Sequence, residues 1–588
     1  MKKFLVVVFA VLIFVSVFAA EKYVYFDENT PYLGANATGK YGGTLIIPSL
    51  GSGPKTMNAV VAQETSSTDV IDRFMGTWTL IQLDNYARMH PALAKKCELE
   101  VTDDEKMIIT LWLREGVRWS DGTPFTADDF VFSMNEIYCN PDIPNDMADL
   151  LEDSQGRLPV AEKVDDYTVR IVYQEPYRLA VRYAAGIQIF PKHIAEPWVK
   201  EGKFKEMWTV ESINKRELVG LGPYIPVEYV PDQYVRLERN PYYFKKDANG
   251  QQLPYLDGLV FKIIPDLNAI RLAFENGEVD VYGVTAQFYP DIKNKAKEKG
   301  WIVGTGGPTF GTTFLTLNFN CPDPVKRKWF RNEFFRKAIA YSMDKDAMID
   351  TLMAGLGTAQ WGPISAAAAA YYNDDALRKY PYDLDYARMM LQMGGFSWDK
   401  DGNLIDEDGN KVEFILMTNA GNTTREGVCN ILRDELSKLG IKVTFSPIDF
   451  NTLVQKLVST GDWEAIVIGL TGSDEPQGGA NVWKLDGALH FWNYSPEVKD
   501  FVSPDIYEVP EWEAEIDRIF TENVRILDQQ KVYEMFSRYQ ELVSEHLPLI
   551  YTIQQLYLYA YTDKLHNAEP TAFGGIWAWN EEWIWKEQ

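Results

Sequence analysis

Three carboxylates cluster in residues 116–133, which read GVRWSDGTPFTADDFVFS. Asp121, Asp128 and Asp129 fall within nine positions of the chain. A pair of acids on either side of a glycosidic bond is the usual machinery of glycan hydrolysis. Taken alone, the segment is therefore compatible with a secreted glycan hydrolase.

The same segment also carries the signals of a helix start. Thr126 is a good N-cap, and Asp129 stands three positions later, where a capping box places its second acceptor. Phe125 and Phe130 occupy the two positions of a hydrophobic staple. Negative charge on Asp128 and Asp129 favours the first turn of a helix. We therefore favour a helix start over an acid/base pair.

Other chemical motifs are absent from the sequence. The five histidines are scattered, and neither HExxH nor CxxC occurs, so we expect no metal and no cofactor. Residues 304–311, GTGGPTFG, fail the pattern of a phosphate-binding loop. Residues 399–410, DKDGNLIDEDGN, carry Leu404 where a calcium loop requires glycine, and their Asp-Gly pairs favour a β-hairpin.

Composition narrows the class of ligand. The 58 basic and 84 acidic residues give a net charge of −26, which disfavours nucleic acid and anionic membranes as partners. The chain has 17 Trp, 32 Tyr and 30 Phe, so some rings are expected to face a ligand cleft while most pack in cores. Neutral or cationic ligands suit this chain better than anionic ones.

The N-terminus predicts export. Residues 1–19 combine two lysines, an unbroken apolar run from residue 4, and the small residues Val17 and Ala19 before the expected cleavage point. An uncleaved anchor is the minority interpretation. No cysteine stands at the end of the apolar run, since the first one is Cys97, so we expect a periplasmic protein released by a cleaved signal peptide, not a lipoprotein.

Export also allows disulfides. The chain has four cysteines: Cys97, Cys139, Cys321 and Cys429. Their wide spacing does not decide between one bridge and buried free thiols.

Strand and helix patterns alternate along the mature chain. KMIITLWLREGVRW and YTVRIVY alternate apolar and polar residues as strands do, whereas FFRKAIAYSMDKDAMIDTLM has the period of an amphipathic helix. This rhythm predicts a mixed α/β fold. At 588 residues, the chain is long enough for several lobes or domains.

Several segments resemble one family in collinear order. LREGVRWSDGTPFTADDFVFS resembles the signature of bacterial extracellular solute-binding proteins of family five, the oligopeptide, dipeptide and nickel-binding group of ABC importers. Trp119 and Ser120 depart from it, since the family usually has Phe and His there. The remaining similar segments are GPYIPVEYVPDQYVRLERNPYYF, AIRLAFENGEVDV, LNFNCPDPVKRKWFRNEFFRKAIAYSMDKDAMID, YDLDYARMMLQMGGF and LRDELSKLGIKVTFSPIDFNTLVQKLVSTGDWEAIVIG.

The resemblance implies a two-lobed periplasmic-binding-protein fold (class II-like, type C) with a small inserted domain and a hinge of two crossing strands. It also implies that a ligand is captured by hinge closure and delivered to an ABC permease, by a monomer that is not an enzyme. The expected division is signal peptide 1–19; lobe I 20–65, 186–308 and 545–588; inserted domain 66–185; lobe II 309–544.

The resemblance also bears on the ligand. Peptide-binding members place an aspartate on the loop after the strand that matches EAIVIGL, where it pairs with the peptide amino terminus. The matching position here is Gly472, and Asp474 could substitute only if the loop shifts. The loop offers aromatic and amide side chains instead: Asn481, Trp483, Trp492 and Asn493.

Rings and amides together suit sugars, because rings stack on the apolar faces of pyranoses and amides bind hydroxyls. We therefore expect a short neutral oligosaccharide, such as a β-linked gluco- or manno-oligosaccharide. An oligopeptide is the alternative, and a glycan hydrolase is less favoured. Further candidate ligand residues are Trp361, Trp78, Trp577 with Trp579, Asn419 and Thr418; core packing is an equal alternative for these tryptophans.

Overall fold

A computed structural model describes residues 21–76, 79–576 and 580–587. The predicted signal peptide and the candidates Trp78, Trp577 and Trp579 lie outside these ranges. Within them, no helix is long and apolar enough to cross a membrane. The same ranges contain no group of acids, histidines or cysteines arranged to hold a metal ion.

The first part of the chain builds an antiparallel sheet and the helices around it. Its elements are β1 (Glu21–Phe26), β2 (Thr44–Leu50), α1 (Thr65–Met75), β3 (Ile81–Leu83), β4 (Met89–Pro91), β5 (Ala94–Val101), β6 (Met107–Leu113), α2 (Ala127–Phe132), α3 (Asp146–Leu151), β7 (Val160–Asp165), β8 (Thr168–Tyr173) and α4 (Ala180–Ala184). The sheet has the order β1-β5-β6-β8-β7, and β3 pairs with β4.

The next part completes lobe I. Its elements are α5 (Lys192–Lys200), α6 (Glu211–Lys215), β9 (Tyr224–Val230), β10 (Tyr234–Arg239), β11 (Gly258–Ile264), α7 (Leu267–Glu275), β12 (Val281–Gly283), α8 (Tyr289–Lys299) and β13 (Trp301–Pro308). A sheet of order β2-β11-β10-β9 joins the N-terminal strand β2, in parallel, to β11.

The third part forms lobe II. Its elements are β14 (Thr312–Leu317), α9 (Pro324–Arg331), α10 (Glu333–Tyr341), α11 (Lys345–Met353), β15 (Gly357–Ala359), α12 (Leu384–Met393), β16 (Ser397–Trp398), β17 (Leu404–Ile405), β18 (Glu413–Asn419), α13 (Thr423–Lys438), β19 (Lys442–Ile448), α14 (Phe450–Gln455), β20 (Ala465–Leu470), α15 (Ala480–Trp483), α16 (Glu511–Glu522), α17 (Gln529–His546) and β21 (Leu549–Tyr551). Its main sheet has the order β19-β18-β20-β14-β21.

The chain returns to lobe I through β22 (Ile553–Thr562), β23 (Leu565–His566) and β24 (Trp585–Lys586). Strand β22 pairs with β12, β13 and β15. The polypeptide therefore passes between the lobes twice, from β13 to β14 and from β21 to β22. The side chain of Gln554 joins the two crossings, because its Nε2 donates to the carbonyl oxygens of Thr309 (2.6 Å) and Gly311 (3.0 Å).

One boundary differs from the sequence prediction. Strand β1, which we assigned to lobe I, is the edge strand of the sheet of the inserted domain. The inserted domain and lobe I also share one continuous hydrophobic core, in which Phe74 contacts Trp208 at a ring-centroid distance of 5.6 Å. Lobe II has a separate core. The inserted domain therefore packs directly on lobe I.

The acids of residues 116–133 have structural partners. Asp129 accepts the backbone N–H of Thr126 at 3.0 Å in a capping box at the start of α2, and both staple phenylalanines are buried. Asp128 pairs with Lys163, and Asp121 pairs with His193. The segment is a helix start, as the spacing predicted. The predicted hairpin at residues 399–410 also forms, with β16 paired to β17.

The structure leaves all four cysteines as free thiols. Cys97, Cys321 and Cys429 are buried, and burial raises the pKa of Cys321 to about 11. Buried, protonated thiols are poor nucleophiles, so these cysteines pack as small apolar side chains.

One hydrogen bond between helices predicts a pH-dependent stability. Glu333 begins α10 and lies 3.0 Å from Nδ1 of His546, which ends α17. The hydrogen bond to His546 holds the pKa of Glu333 at about 2, below its ordinary value of 4.5. A lowered carboxyl pKa adds stability that is complete above pH 4.5 and is lost as the pH falls towards 2.

Replacement Glu333→Gln should therefore lower the free energy of unfolding by about 1 kcal/mol at pH 7, a figure reduced because the side chain is partly exposed. Urea denaturation should show this difference shrinking between pH 4.5 and pH 3. The control Glu413→Gln, in a well-exposed pair with Lys442, should change stability by less than about 0.5 kcal/mol at both pH values. An equal loss at pH 7 and pH 3 would contradict the assignment.

Candidate functional site

A cavity of about 510 Å³ lies where the inserted domain meets lobe II. Tyr183, next to the end of α4, closes it on one side, and Phe310, in the first crossing between the lobes, forms part of its floor. The loop after β20 and the short helix α15 supply the facing wall. The volume is within the range of about 300–1,000 Å³ that is usual for small-molecule sites.

The lining is aromatic and mostly uncharged. The rings come from Tyr183, Phe310, Trp483, Tyr539 and Tyr551. Neutral polar groups come from Thr312, Ser365, Thr471, Ser473 and Asn481. Among the described residues that line the cavity, Glu475 is the one that carries a charge. Such a surface suits a ligand that combines apolar faces with hydroxyl groups.

Gly472 has no room for a side chain. Its backbone passes so close to the first crossing that a Cβ atom built on it would lie 2.0 Å from the carbonyl oxygen of Phe310. The position where the resemblance implies a peptide-anchoring aspartate therefore holds glycine for a steric reason. An acid cannot occupy this place unless the loop moves away from Phe310.

Glu475 is neutralised by a residue of the inserted domain. Its two carboxylate oxygens accept from Nη2 and Nη1 of Arg178 at 2.9 and 3.0 Å, and Tyr371 donates its hydroxyl at 2.6 Å. The side chains of Arg178 and Glu475 are 1% and 3% exposed. Burial alone would raise the pKa of Glu475, but the hydrogen bonds and charge of Arg178 outweigh it and lower the pKa.

Asp474 is held in the same way. Its oxygens accept from the guanidinium of Arg182 at 2.6 and 3.0 Å. We predicted Asp474 as a ligand residue, but both of its oxygens face an arginine and it is 9% exposed. We call Arg178 and Arg182, with Glu475 and Asp474, the arginine clamp.

A second cavity of about 390 Å³ adjoins the first, and the two share Thr312, Leu470 and Thr471. It is lined by both crossings between the lobes and by the start of α13. Arg425 on its wall donates to Oδ1 of Asn419 at 2.9 Å, and burial lowers the pKa of its guanidinium. No described carboxylate lies within ion-pair distance of Arg425.

The predicted Trp/Asn loop divides into two groups. Asn481 is exposed and lines the first cavity, as does Trp483, whose ring packs edge-on against Tyr539 at 5.0 Å. Trp492 is fully buried and donates Nε1–H to Glu513 at 2.6 Å. Asn493 donates to the same carboxylate, also at 2.6 Å. Trp492 and Asn493 thus hold the loop from within lobe II and do not reach the cavity.

The remaining candidates lie elsewhere. Thr418 is buried and donates to the carbonyl of Val467 at 2.8 Å, which joins β18 to β20. Asn419 orients Arg425 beside the second cavity. Trp361 is half-buried, with Nζ of Lys345 at 3.6 Å from its ring centre, and it lines neither cavity. Of the predicted set, the structure brings Asn481 and Trp483 together at the first cavity.

The cavity residues and clamp residues contributed by the inserted domain were not among those predicted from the sequence. Arg178, Arg182 and Tyr183 stand in the stretch YRLAVRYA, where the two arginines are four positions apart and therefore share one helical face. That spacing was a usable signal of a paired contact. Its acidic partners lie almost 300 positions later, so no local pattern connects them.

Comparison with known proteins identifies the family to which this chain belongs. Residues 88–488 match the family described as bacterial extracellular solute-binding proteins, family 5 Middle. The chain belongs to this family. It is therefore the substrate-binding component of an ABC importer, a small-ligand carrier that delivers to a permease and works outside the cytoplasm. The fold and family expected from the sequence are confirmed.

Curated relatives of this family 5 protein carry different ligands in their names. It is 29% identical over 549 residues to a probable ABC transporter-binding protein of Deinococcus radiodurans, with 87% of each chain covered. It is 25% identical to the oligopeptide-binding protein AppA of Bacillus subtilis, covering 91% of this chain and 89% of AppA. It is 28% identical to a periplasmic alpha-galactoside-binding protein of Rhizobium meliloti over 61% of this chain and 54% of the relative.

The structure of AppA in complex with a nonapeptide has the same fold. It superposes with a TM-score of 0.62 at 23% identity, covering 94% of this chain and all of AppA. Relatives of this protein thus include both a peptide binder and a sugar binder.

Proposed function

We propose that this protein captures a short neutral oligosaccharide between its lobes and delivers it, as a monomer, to an ABC permease. We further propose that the mature protein is released by signal-peptide cleavage without a lipid anchor. The main observation in favour of a neutral ligand is the environment of Gly472. The backbone carbonyl of Phe310 leaves no space there for an acid that would bind a peptide amino terminus.

The charges around the first cavity support a neutral ligand. Glu475 and Asp474 are the acids nearest to Gly472 in sequence, and arginines of the inserted domain occupy both of them. A ligand ammonium group would have to displace a buried, bidentate guanidinium, which costs several kcal/mol. A hydroxyl group has no such competition at Asn481, Thr471 or the other neutral groups of the lining.

The aromatic side chains support a sugar. Trp483 and Tyr183 lie on facing walls of the cavity, with Asn481 beside Trp483. Rings of this kind bury the C–H faces of pyranoses, while amide and hydroxyl groups fix their orientation. A relative named as an alpha-galactoside binder shows that a related protein carries sugars, so the linkage we expected from the sequence needs to be tested against α-galactosides.

An oligopeptide is the second candidate. Arg425 has no carboxylate partner among the described residues, and it lines the cavity next to the proposed sugar site. An arginine without a carboxylate partner at that place can bind the carboxylate of a peptide. AppA, a relative of this protein, is named as an oligopeptide binder. This candidate requires a different anchor for the amino terminus, since Gly472 offers none.

A glycan hydrolase remains the least supported function. Hydrolysis needs one acid that can donate a proton and one that can attack or activate water. Glu475 and Asp474 accept hydrogen bonds from guanidinium groups on both oxygens, so neither carboxylate is free to donate a proton or to attack a sugar. Release of reducing ends from a bound oligosaccharide would contradict a pure binding role.

A thermal-shift screen tests the proposal directly. The purified mature protein is mixed with cello-, manno- and laminari-oligosaccharides, with raffinose and stachyose, and with peptides of two to six residues. A ligand at one hundred times its Kd adds about 2.7 kcal/mol to the free energy of unfolding by mass action. We expect an increase in melting temperature with at least one sugar series. A rise with peptides alone would refute the sugar assignment.

The variant Trp483→Ala should weaken sugar binding about fivefold or more, which corresponds to about 1 kcal/mol. It removes the ring that packs on Tyr539 at the cavity wall, and such ring contacts contribute about 1 kcal/mol or more. Isothermal titration calorimetry with the best sugar from the screen measures the change. The matched control is Trp198→Ala, in a 36% exposed tryptophan of α5 outside the cavity, which should bind as the unaltered protein does. Equal affinity of both variants would exclude Trp483 from the site.

A further inference from the structure

The inserted domain contacts lobe II through the segment around α4 and through Arg525 of lobe II, which pairs with Glu105 and Glu175. The backbone N–H of Arg178 donates to the carbonyl of Val524 at 2.7 Å, and its Nη2 donates to Asn523 at 2.9 Å. These two contacts add to the ion pairs of the arginine clamp. The segment is thus attached to lobe II by its backbone and by two side chains.

The clamp fixes the segment at two points. Arg178 and Arg182 are four residues apart and bind the consecutive acids Glu475 and Asp474. Two bidentate contacts, one just before α4 and one within it, restrict both the position and the rotation of this segment relative to the loop after β20. The residue that follows the second arginine is therefore held in a defined place.

That residue is Tyr183, and it forms a wall of the first cavity. The guanidinium carbon of Arg182 lies 5.7 Å from the centre of its ring. Burial is the main reason that the pKa of Tyr183 is raised, so the phenol stays neutral at physiological pH. Within residues 21–76, 79–576 and 580–587, no side chain or backbone group hydrogen-bonds to its hydroxyl. The hydroxyl can therefore bind a ligand.

We propose that Tyr183 is a specificity-determining residue that sets the length of ligand this protein accepts. The proposal rests on the proposed function, because it takes the first cavity as the ligand site. Tyr183 is the residue of the inserted domain that lines this cavity, whereas the opposite walls belong to lobe II and the first crossing. Closure of the clamp brings its ring against the end of the ligand, and a longer ligand would prevent the two arginines from reaching their acids.

Two ligand ladders test this role. Binding of cello-, manno-, laminari- and α-galacto-oligosaccharides of two to six units, and of alanine peptides of two to six residues, is measured by calorimetry for the unaltered protein and for Tyr183→Ala. For the ladder that the unaltered protein binds, we expect Tyr183→Ala to bind the longest members at least ~10-fold more tightly, because the end wall is removed. The affinity of Tyr183→Ala for the best short member should fall ~3–10-fold, because one aromatic contact with the ligand is lost.

Two further variants distinguish the role of the Tyr183 ring as an end wall from the loss of its hydroxyl and from unrelated effects of removing a tyrosine. Tyr183→Phe keeps the ring and should keep the length limit, while losing only the hydroxyl contact, about 2–10-fold in affinity. Tyr242→Ala removes a 44% exposed tyrosine of lobe I that lines neither cavity, and it should leave the ladder unchanged.

The outcomes distinguish the two hypotheses. If the unaltered protein binds the sugar ladder and Tyr183→Ala has the same length profile, the wall proposal is wrong and the proposed function stands. If only the peptide ladder binds and Tyr183→Ala extends it, the sugar assignment is wrong and the wall proposal stands. If neither ladder binds the unaltered protein, the first cavity is not a site for either ligand class and both proposals fail.

Discussion

The variant Arg178→Met should open the protein in the absence of ligand. In the closed form, Glu475 would remain buried without its guanidinium partner, and such an uncompensated charge costs about 3–5 kcal/mol. In an open form the same carboxylate is hydrated and the cost disappears. The equilibrium should therefore move towards the open form, and ligand affinity should fall by roughly 10²-fold or more, because closure must first be restored.

Small-angle scattering of the unliganded protein measures this shift as a larger radius of gyration. The stabilisation that the arginine clamp provides should also depend on pH. The pKa of Glu475 is lowered where its pair with Arg178 is formed, so the contribution of this pair is complete at pH 7 and is lost as the pH falls below the ordinary value of 4.5. Unaltered protein should open over that acidic range, whereas Arg178→Met should already be open at pH 7.

The double variant Arg178→Met with Glu475→Leu is the decisive control. It removes both charges and leaves side chains of similar bulk, an exchange that is often neutral or stabilising in buried pairs. We expect it to close again. Arg538→Met breaks an exposed pair with Glu515 on lobe II and should change neither scattering nor affinity. If Arg178→Met scatters as the unaltered protein does at pH 7, the arginine clamp does not hold the lobes together.

Local signals in the sequence were sufficient for the elements and the family. The helix start at Thr126 and the hairpin at residues 399–410 depend on residues three to nine positions apart, and both form as predicted. The position of β1 was not predictable in this way. Its pairing with β5 connects residues more than seventy positions apart, and its sequence EKYVYF suits an edge strand in either sheet.

Local sequence signals were also insufficient to identify the residues of the candidate site. Trp483 and Trp492 are nine positions apart in one loop, and nothing local separates them. The difference arises because α16 brings the buried Glu513 under the loop, where it accepts from Trp492 and Asn493. Tyr183 reaches the cavity from the inserted domain, far away in the sequence. Which rings face a ligand is therefore decided by long-range packing that residue types alone do not encode.

The variant Gly472→Ala should lower both the stability of the protein and its affinity for ligand. Its Cβ would lie 2.0 Å from the carbonyl oxygen of Phe310, so the loop after β20 must move away from the first crossing. Overpacking against backbone costs about 1–3 kcal/mol, and it also displaces the acids of the arginine clamp two and three residues later. We expect a lower melting temperature and at least a tenfold loss of affinity for the ligand found by the screen.

Gly283→Ala in β12 is the control, because a Cβ on this residue would have no atom within 4 Å and the residue lines neither cavity. It should retain both stability and binding. The larger change Gly472→Asp extends the test, since it adds the acid that peptide-binding relatives are expected to carry. If the steric argument is right, Gly472→Asp loses sugar binding without gaining affinity for peptides. If it instead binds short peptides tightly, the loop can move to admit an acid, and the carbonyl of Phe310 is not what excludes a peptide amino terminus from this cavity.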